Sequence, residues 1–111
     1  MGKGEHLGEF EQLVLLAVLS LGEGEAYGMN VRRALEEVAE REVSVPTVYA
    51  ALERLEGKGL VASVLGEATP ERGGRAKKLF RVEPEGVRML RASRHGLERM
   101  WRAAALEARR P

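Results

Sequence analysis

The chain has 111 residues, of which 44% are hydrophobic, and carries a formal net charge of +1 at pH 7. This length corresponds to one domain with a small core, because chains of this size hide only about two-thirds of their unfolded surface on folding. The absence of cysteine excludes disulfides, thiolate metal sites and a catalytic cysteine.

The hydropathy pattern gives no sign of a membrane segment. The longest apolar run, Leu13–Leu19, is far shorter than the roughly 18 residues that span a bilayer. Acidic residues precede it, whereas a secretory signal begins with basic ones. We therefore expect a soluble, cytoplasmic protein.

The charges are distributed unevenly along the chain. Residues 1–43 contain four Lys/Arg and nine Glu, a net charge of −5. Residues 44–82 contain seven Lys/Arg and four Glu, a net of +3, and residues 88–111 contain seven Arg and two Glu, a net of +5. A basic region beside an acidic lobe favours a nucleic-acid partner more than the sequence pI of about 8.1 does, because the local field steers association.

The N-terminal part predicts a flexible N-terminus over residues 1–7 and then two helices. Apolar residues recur at helical spacing in Glu9–Leu21, which is apolar nearly all round, so we expect this helix to be buried on more than one side. Gly22 follows it and is placed to take the left-handed conformation that ends helices. Ala26–Arg41 predicts the second helix, with one apolar stripe.

A third helix is predicted from about Ser44 to the glycines that follow residue 56. Pro46 suits its first turn, where the missing N–H has no partner in any case. The N-cap is Ser44 or Val45, and the hydroxyl of Ser44 is the better cap. The stripe predicted to face the core consists of Val48, Leu52 and Leu55. A neighbouring stripe, predicted to lie outside, consists of Thr47, Ala51, Arg54 and Lys58, with Glu53 and Glu56 on the other side.

The C-terminal part predicts a hairpin and a long helix. Leu60–Leu65 and Lys77–Val82 read as strands, joined by a polar segment of about ten residues that exceeds the favoured hairpin turns. The segment Arg72–Arg81 holds five Lys/Arg and no acid. Pro84 opens a helix predicted to run to about Ala108. The predicted fold class is therefore mainly α with a small β-hairpin wing.

The third helix and the hairpin together suggest DNA binding. Thr47 and Ala51 are small enough for the helix backbone to enter a major groove, and Arg54 and Lys58 can reach phosphates or a guanine edge. For the helix alone, the alternative is a solvated face of mixed charge. For the hairpin, it is an exposed loop with cations for solubility. Taken together, the third helix and the basic hairpin favour a winged helix-turn-helix that binds duplex DNA. The rival interpretation is a winged-helix scaffold for protein interactions that binds no DNA.

The last helix has an apolar stripe with little left in the chain to cover it. We expect the stripe to meet a second copy, and the alternative is a helix folded back across its own domain. Trp101 would be a packing anchor there, and the minor alternative is a platform for a flat hydrophobic ligand. The residues predicted for dimerisation or an effector are Leu90, Leu97, Met100, Trp101 and Ala104.

No catalytic or metal-binding pattern is recognisable. His6 and His95 are far apart in sequence, and no nucleophile elbow, phosphate-binding loop or zinc-protease motif is present. We therefore expect neither an enzyme nor a cofactor.

Three segments carry a resemblance to a known family: Ala26–Val31, Thr47–Val61 and Lys77–Val82. In order and spacing they resemble the PadR family of transcriptional regulators, over about residues 8–100. The resemblance implies a homodimeric repressor that binds a two-fold symmetric operator and is released by a small aromatic or amphipathic effector. The short tail resembles the subfamily with a single C-terminal helix.

The resemblance also implies domains and contacts. Residues 8–83 would form the winged helix-turn-helix domain, and residues 84–109 the dimerisation helix. The recognition-helix contacts implied by matching positions are Ser44, Thr47, Tyr49 and Arg54. The wing contacts are Arg75, Lys77 and Lys78. Tyr49 would bind phosphate, whereas its own pattern indicates a half-buried packing residue.

Overall fold

The computed structural model describes residues 6–68, 76–105 and 108–109. This part of the chain contains four helices and a two-stranded antiparallel hairpin, which confirms the predicted fold class and element order. The elements are α1 (Glu9–Leu21), α2 (Gly28–Ala39), α3 (Val45–Gly57), β1 (Val61–Ala68), β2 (Ala76–Val82) and α4 (Pro84–Ala104).

The start of α3 follows the predicted capping chemistry. The Ser44 hydroxyl oxygen accepts a hydrogen bond from the Thr47 backbone N–H at 3.2 Å, and Pro46 lies in the first turn. The Ser44 hydroxyl satisfies one backbone N–H that has no partner inside the helix, and Pro46 has no such N–H to satisfy. The beginning of the candidate recognition helix is therefore fixed by local sequence.

Several predicted boundaries differ in the structure. Helix α2 begins at Gly28, two residues later than predicted, and ends at Ala39, before Glu40 turns left-handed at φ 57°. Helix α4 ends at Ala104, short of Ala108, because Ala105 adopts a left-handed φ of 49°. At the N-terminus, Leu7 is buried in the core, so the segment predicted as flexible extends too far; residues 1–5 lie outside the described part.

The core lies between the first three helices and the start of the hairpin. Its apolar side chains come from every element around it, and burying each one contributes about 1.5–3 kcal/mol. The largest fully buried side chains are Leu15, Leu35, Leu52, Leu55, Leu60, Val14, Val31 and Val48.

The hairpin is attached to the helical domain at its base. Strands β1 and β2 pair from Val61↔Val82 outward, with a register shift between Leu65 and Ala68. The other edge of β2 bonds the α1–α2 connection, where the Phe80 N–H donates to the Ala26 carbonyl at 2.8 Å. This bond holds β2 against the α1–α2 connection, while β1 packs against α3.

Helix α4 is joined tightly to the rest of the domain at its N-terminal end. The Glu83 N–H donates to the Leu60 carbonyl at 2.8 Å. Gly86 is buried so closely that a β-carbon there would lie 2.6 Å from the same carbonyl oxygen. Met89 and Leu90 complete the contact with the core, and further along the helix the side chains are mostly exposed.

The exposed part of α4 makes the molecule elongated. A helix of 21 residues is about 31 Å long at 1.5 Å per residue. The radius of gyration is 16.3 Å, whereas a compact domain of this length has about 13 Å. The C-terminal half of α4 therefore projects away from the core.

Candidate nucleic-acid interface

The exposed face of α3 is rotated relative to the predicted stripe. Ala51, predicted to face DNA, has no exposed surface and belongs to the core. On a helical wheel it lies about 40° from the buried Leu55, so the sector that faces the core is wider than expected. Ala51 is therefore removed from the candidate contacts, and Ala50 and Glu53 share the exposed face with Thr47 and Arg54.

The N-terminal end of this face is polar. Ser44 and Thr47 are both exposed, and their hydroxyl oxygens lie 2.8 Å apart in a hydrogen bond. Because the recognition helices of helix-turn-helix proteins contact base edges with their N-terminal residues, this is the end of α3 suited to a groove.

The two predicted cations of α3 meet one acidic side chain of α1. Lys58 Nζ donates to both carboxylate oxygens of Glu11, at 3.2 and 3.0 Å. Arg54 Nε lies 3.8 Å from the same carboxylate. The Lys58 and Arg54 side chains are 49% and 55% exposed, so they lie at the border of the exposed face of α3. The Glu11 side chain, by contrast, is only 12% exposed.

The predicted basic pair of the wing is divided between two surfaces. Adjacent residues of a strand point to opposite faces. Lys77 Nζ lies 3.7 Å from the centre of the Tyr27 ring, a cation–π contact. Lys78 Nζ lies 3.8 Å from Glu56 on α3. Both lysines thus contact the helical domain from the outer half of β2, and the predicted wing contact Arg75 lies outside the described residues.

Tyr49 is half-buried between α2 and the hairpin. Its ring meets the Phe80 ring edge-on, with centroids 6.4 Å apart. It also covers Gly28, where a β-carbon would come within 2.5 Å of the Tyr49 hydroxyl. Tyr49 is therefore a packing residue whose hydroxyl lies at the first turn of α2.

The residues predicted for dimerisation divide into two groups. Leu90 is only 8% exposed and belongs to the core, because α4 still contacts the domain there; it is not part of a free apolar surface. The others remain outward-facing: Leu97 is 59% exposed, Met100 65% and Trp101 48%, and Ala104 is also exposed.

Two further apolar surfaces lie on the domain itself. Leu16 and Leu19 of α1 and Val64 and Leu65 of β1 are exposed. Between the C-terminal end of α1 and the hairpin lies a cleft of about 450 Å³, with Val18 and Phe80 among its lining residues. Apolar surface of this kind often marks an interaction site.

Sequence reasoning missed Glu11, Glu53 and Tyr27. Glu11 carried a readable signal, because it recurs with the buried Val14 and Val18 at helical spacing, where a charge is unexpected without a partner. Tyr27 carried no such signal, because Lys77, which lies over its ring, belongs to a strand 50 residues further along the chain.

Two further observations concern the described residues only. No cluster of three or more acidic or histidine side chains there could hold a metal ion. None of the helices described is both long and apolar enough to cross a bilayer.

The helical core, the capped third helix and the hairpin fixed beside it define a winged helix-turn-helix protein. The family model for the transcriptional regulator PadR-like family matches residues 15–92, and the chain belongs to that family. This membership makes it a transcriptional regulator.

Solved structures with similar folds include members of the same family. A PadR family regulator from Eggerthella lenta is 28% identical, with a TM-score of 0.68 over 91% of this chain and 88% of that one. A transcriptional regulator from Clostridium thermocellum is 21% identical, with a TM-score of 0.68 over 89% of each chain. A PadR family regulator from Clostridium difficile is 24% identical, with a TM-score of 0.62 over 88% and 92%. A comparison with curated protein sequences found no match.

Proposed function

We propose that this protein is a cytoplasmic, sequence-specific DNA-binding repressor that acts as a homodimer on a two-fold symmetric operator. The observation that carries the proposal is the exposed, polar N-terminal face of α3, in a domain that also carries a basic hairpin packed against α3. Residues 8–83 act as the DNA-binding domain and residues 84–109 as the dimerisation segment.

Helix α3 enters the major groove in this proposal. Ser44, Thr47 and Arg54 contact base edges or nearby phosphates, because they lie along the exposed face from its N-terminal end. Phosphates beside the groove are contacted by Tyr49, Lys58, Arg75, Lys77 and Lys78. The Tyr49 hydroxyl suits this role because it lies near the start of α2, and helix N-termini favour anions.

The second part of the proposal is dimerisation through α4. The exposed Leu97, Met100 and Trp101 share one face of a helix that projects from the core, and a second copy would remove them from water. The exposed Leu16 and Leu19 of α1 extend the apolar surface available for this contact. The dimer would hold its two recognition helices about 34 Å apart, one turn of DNA.

The third part concerns an effector. A small aromatic or hydrophobic compound would bind between the paired α4 helices against Trp101, whose side chain is half-exposed in the single chain. It would release the operator by favouring a dimer in which the two DNA-binding domains are differently spaced, a shift of population between states.

The direct test is binding to a duplex from the chain's own upstream region, with and without candidate aromatic compounds. Arg54→Ala and Lys77→Ala should each weaken binding about tenfold while the oligomeric state is unchanged, and loss of a phosphate contact should lower the salt slope by about one. Arg91→Ala, which removes an exposed cation from α4, is the matched control.

The same titration tests the rival function. A winged-helix scaffold for protein contacts would have no duplex affinity, even at low salt. Affinity that falls steeply with rising salt supports the DNA-binding proposal, and complete absence of binding by the folded protein would overturn it.

A further inference from the structure

Glu11 stands out because it is a buried acid placed against a surface proposed to bind an anion. It lies on α1, in phase with the buried face of that helix, and its side chain is 12% exposed. Both its oxygens accept hydrogen bonds from Lys58, and Arg54 lies 3.8 Å away. One carboxylate therefore faces two of the cations that DNA phosphates would need.

The partners differ in how freely they can move. Lys58 and Arg54 are about half-exposed on long side chains, so they can turn towards a ligand outside the protein. Glu11 is largely buried on a shorter side chain and cannot follow them into solvent. A phosphate that takes these cations must therefore displace them from Glu11 and leave its carboxylate with less compensation.

We propose that Glu11 is an internal competitor for DNA phosphate that sets the affinity and salt response of the DNA-binding domain. In the free protein it holds Lys58 and Arg54. On the duplex, phosphates take over one or both cations. This inference rests on the proposed DNA binding and adds a regulating residue that contacts no DNA itself.

The competition lowers the affinity for every duplex. Non-specific binding depends almost entirely on cations that meet phosphates, so withholding two of them reduces it directly. A matching site also gains base contacts along the N-terminal end of α3, which does not touch Glu11. The carboxylate thus keeps non-specific binding weak, while a matching site stays bound through its base contacts.

The test compares Glu11→Gln with Glu9→Gln in the full chain, using a short mixed-sequence duplex over a range of salt concentrations. Both variants remove one carboxylate charge from α1, but Glu9 pairs with Arg41 of the α2–α3 connection and not with Arg54 or Lys58. We expect E11Q to bind about three- to tenfold more tightly at low salt and its salt slope to steepen by about one, whereas E9Q changes affinity less than about twofold.

A second comparison separates competition from a general change of field. Combined with Lys58→Met, E11Q should lose part of its gain, because the released lysine is no longer there and only Arg54 is left to meet a phosphate. A gain of full size in the Lys58→Met background would overturn the proposed mechanism, as would E11Q binding that equals E9Q or is weaker than wild type.

Thermal unfolding of the same variants completes the test. A merely structural role for Glu11 would change the melting temperature and leave the salt slope as in wild type, which would also overturn the inference. If wild type binds the duplex but E11Q shows no gain, only the role of Glu11 fails. If no variant binds any duplex, the proposed function itself fails and the inference with it.

Discussion

Gly28 shows how a single side-chain-free position sets the spacing of two helices. It begins α2 directly beneath the ring of Tyr49 on α3, and a β-carbon there would lie 2.3 Å from a ring carbon. Real β-carbons do not approach other atoms so closely, so the glycine and the tyrosine determine how near α2 and α3 can come.

This contact predicts the effect of Gly28→Ala. The added methyl group must push the Tyr49 ring aside, and overpacking of this kind costs about 1–3 kcal/mol of unfolding free energy. Urea unfolding measures the loss. Gly57→Ala is the matched control, because nothing lies within 4 Å of its β-carbon and alanine favours a helix. Equal responses of the two variants would contradict the proposed clash.

The Glu9–Arg41 ion pair joins the start of α1 to the connection between α2 and α3. Arg41 Nη2 donates to a Glu9 carboxylate oxygen at 2.7 Å. This hydrogen bond, followed by the charge of Arg41, lowers the pKa of the Glu9 carboxyl below its ordinary value of 4.5. A carboxyl whose pKa is depressed by folding stabilises the protein when it is ionised.

Acidification is expected to reduce the contribution of Glu9 to the free energy of unfolding. The stabilisation by Glu9 is fully present above about pH 4.5 and is lost as the pH falls through its lower folded-state pKa. We expect Glu9→Gln to show a smaller loss of stability on acidification than wild type, measured by denaturant unfolding at several pH values. Arg41→Gln should have the same effect, and an acid limb in either variant that overlays wild type would contradict the linkage.

At the scale of elements, local signals located most of the helices correctly. The bounds of α1 follow from an apolar run that stops at Gly22, and α3 begins where Ser44 and Pro46 indicate. The start of α2 was predicted too early because residue 26 is held by β2 through the Phe80–Ala26 hydrogen bond. That contact joins segments 54 residues apart and has no signature in the local pattern.

The candidate interface was predictable to a smaller extent. The residue types on α3 and β2 pointed to cations on the surface, but their partners come from elsewhere in the fold. Ala51 was misassigned because the width of a buried sector depends on tertiary packing, not on one helix. The pairing of Lys58 with Glu11 likewise required the position of α1 relative to α3.

Helix α4 carries a prediction about assembly. Replacing both Leu97 and Trp101 by Ala removes two large side chains, 59% and 48% exposed, from one face of the helix. We expect the proposed dimer to dissociate at least about tenfold more readily, since truncating a central aromatic anchor often costs 2 kcal/mol or more. Sedimentation or light scattering over a concentration series measures the change.

The opposite face of α4 provides the control for this experiment. His95→Ala with Arg99→Ala also truncates two exposed side chains, but they lie about 160–200° round the helix from Leu97. That variant should assemble as wild type does. An intact dimer after loss of Leu97 and Trp101 would show that this face is not the interface.

At the scale of the whole molecule, the net charge of +1 conceals acidic and basic regions that contact each other inside the domain. The acidic N-terminal part supplies Glu11 to the cations of α3, and Glu56 of α3 pairs with Lys78 of the wing. The field that a duplex meets is therefore weaker than a count of Lys and Arg suggests.

The junction between α4 and the domain has a mechanical consequence. Gly86 lies against the Leu60 carbonyl, and the Glu83 N–H donates a hydrogen bond to that same carbonyl. Because of these contacts, α4 and the domain rotate together as one rigid body. Over about 31 Å, a rotation of about 10° carries the far end through about 5 Å. That displacement exceeds the 3.4 Å rise of one base pair, so in the proposed dimer a tilt of about 10° between the paired α4 helices would move the two recognition helices out of step with the DNA.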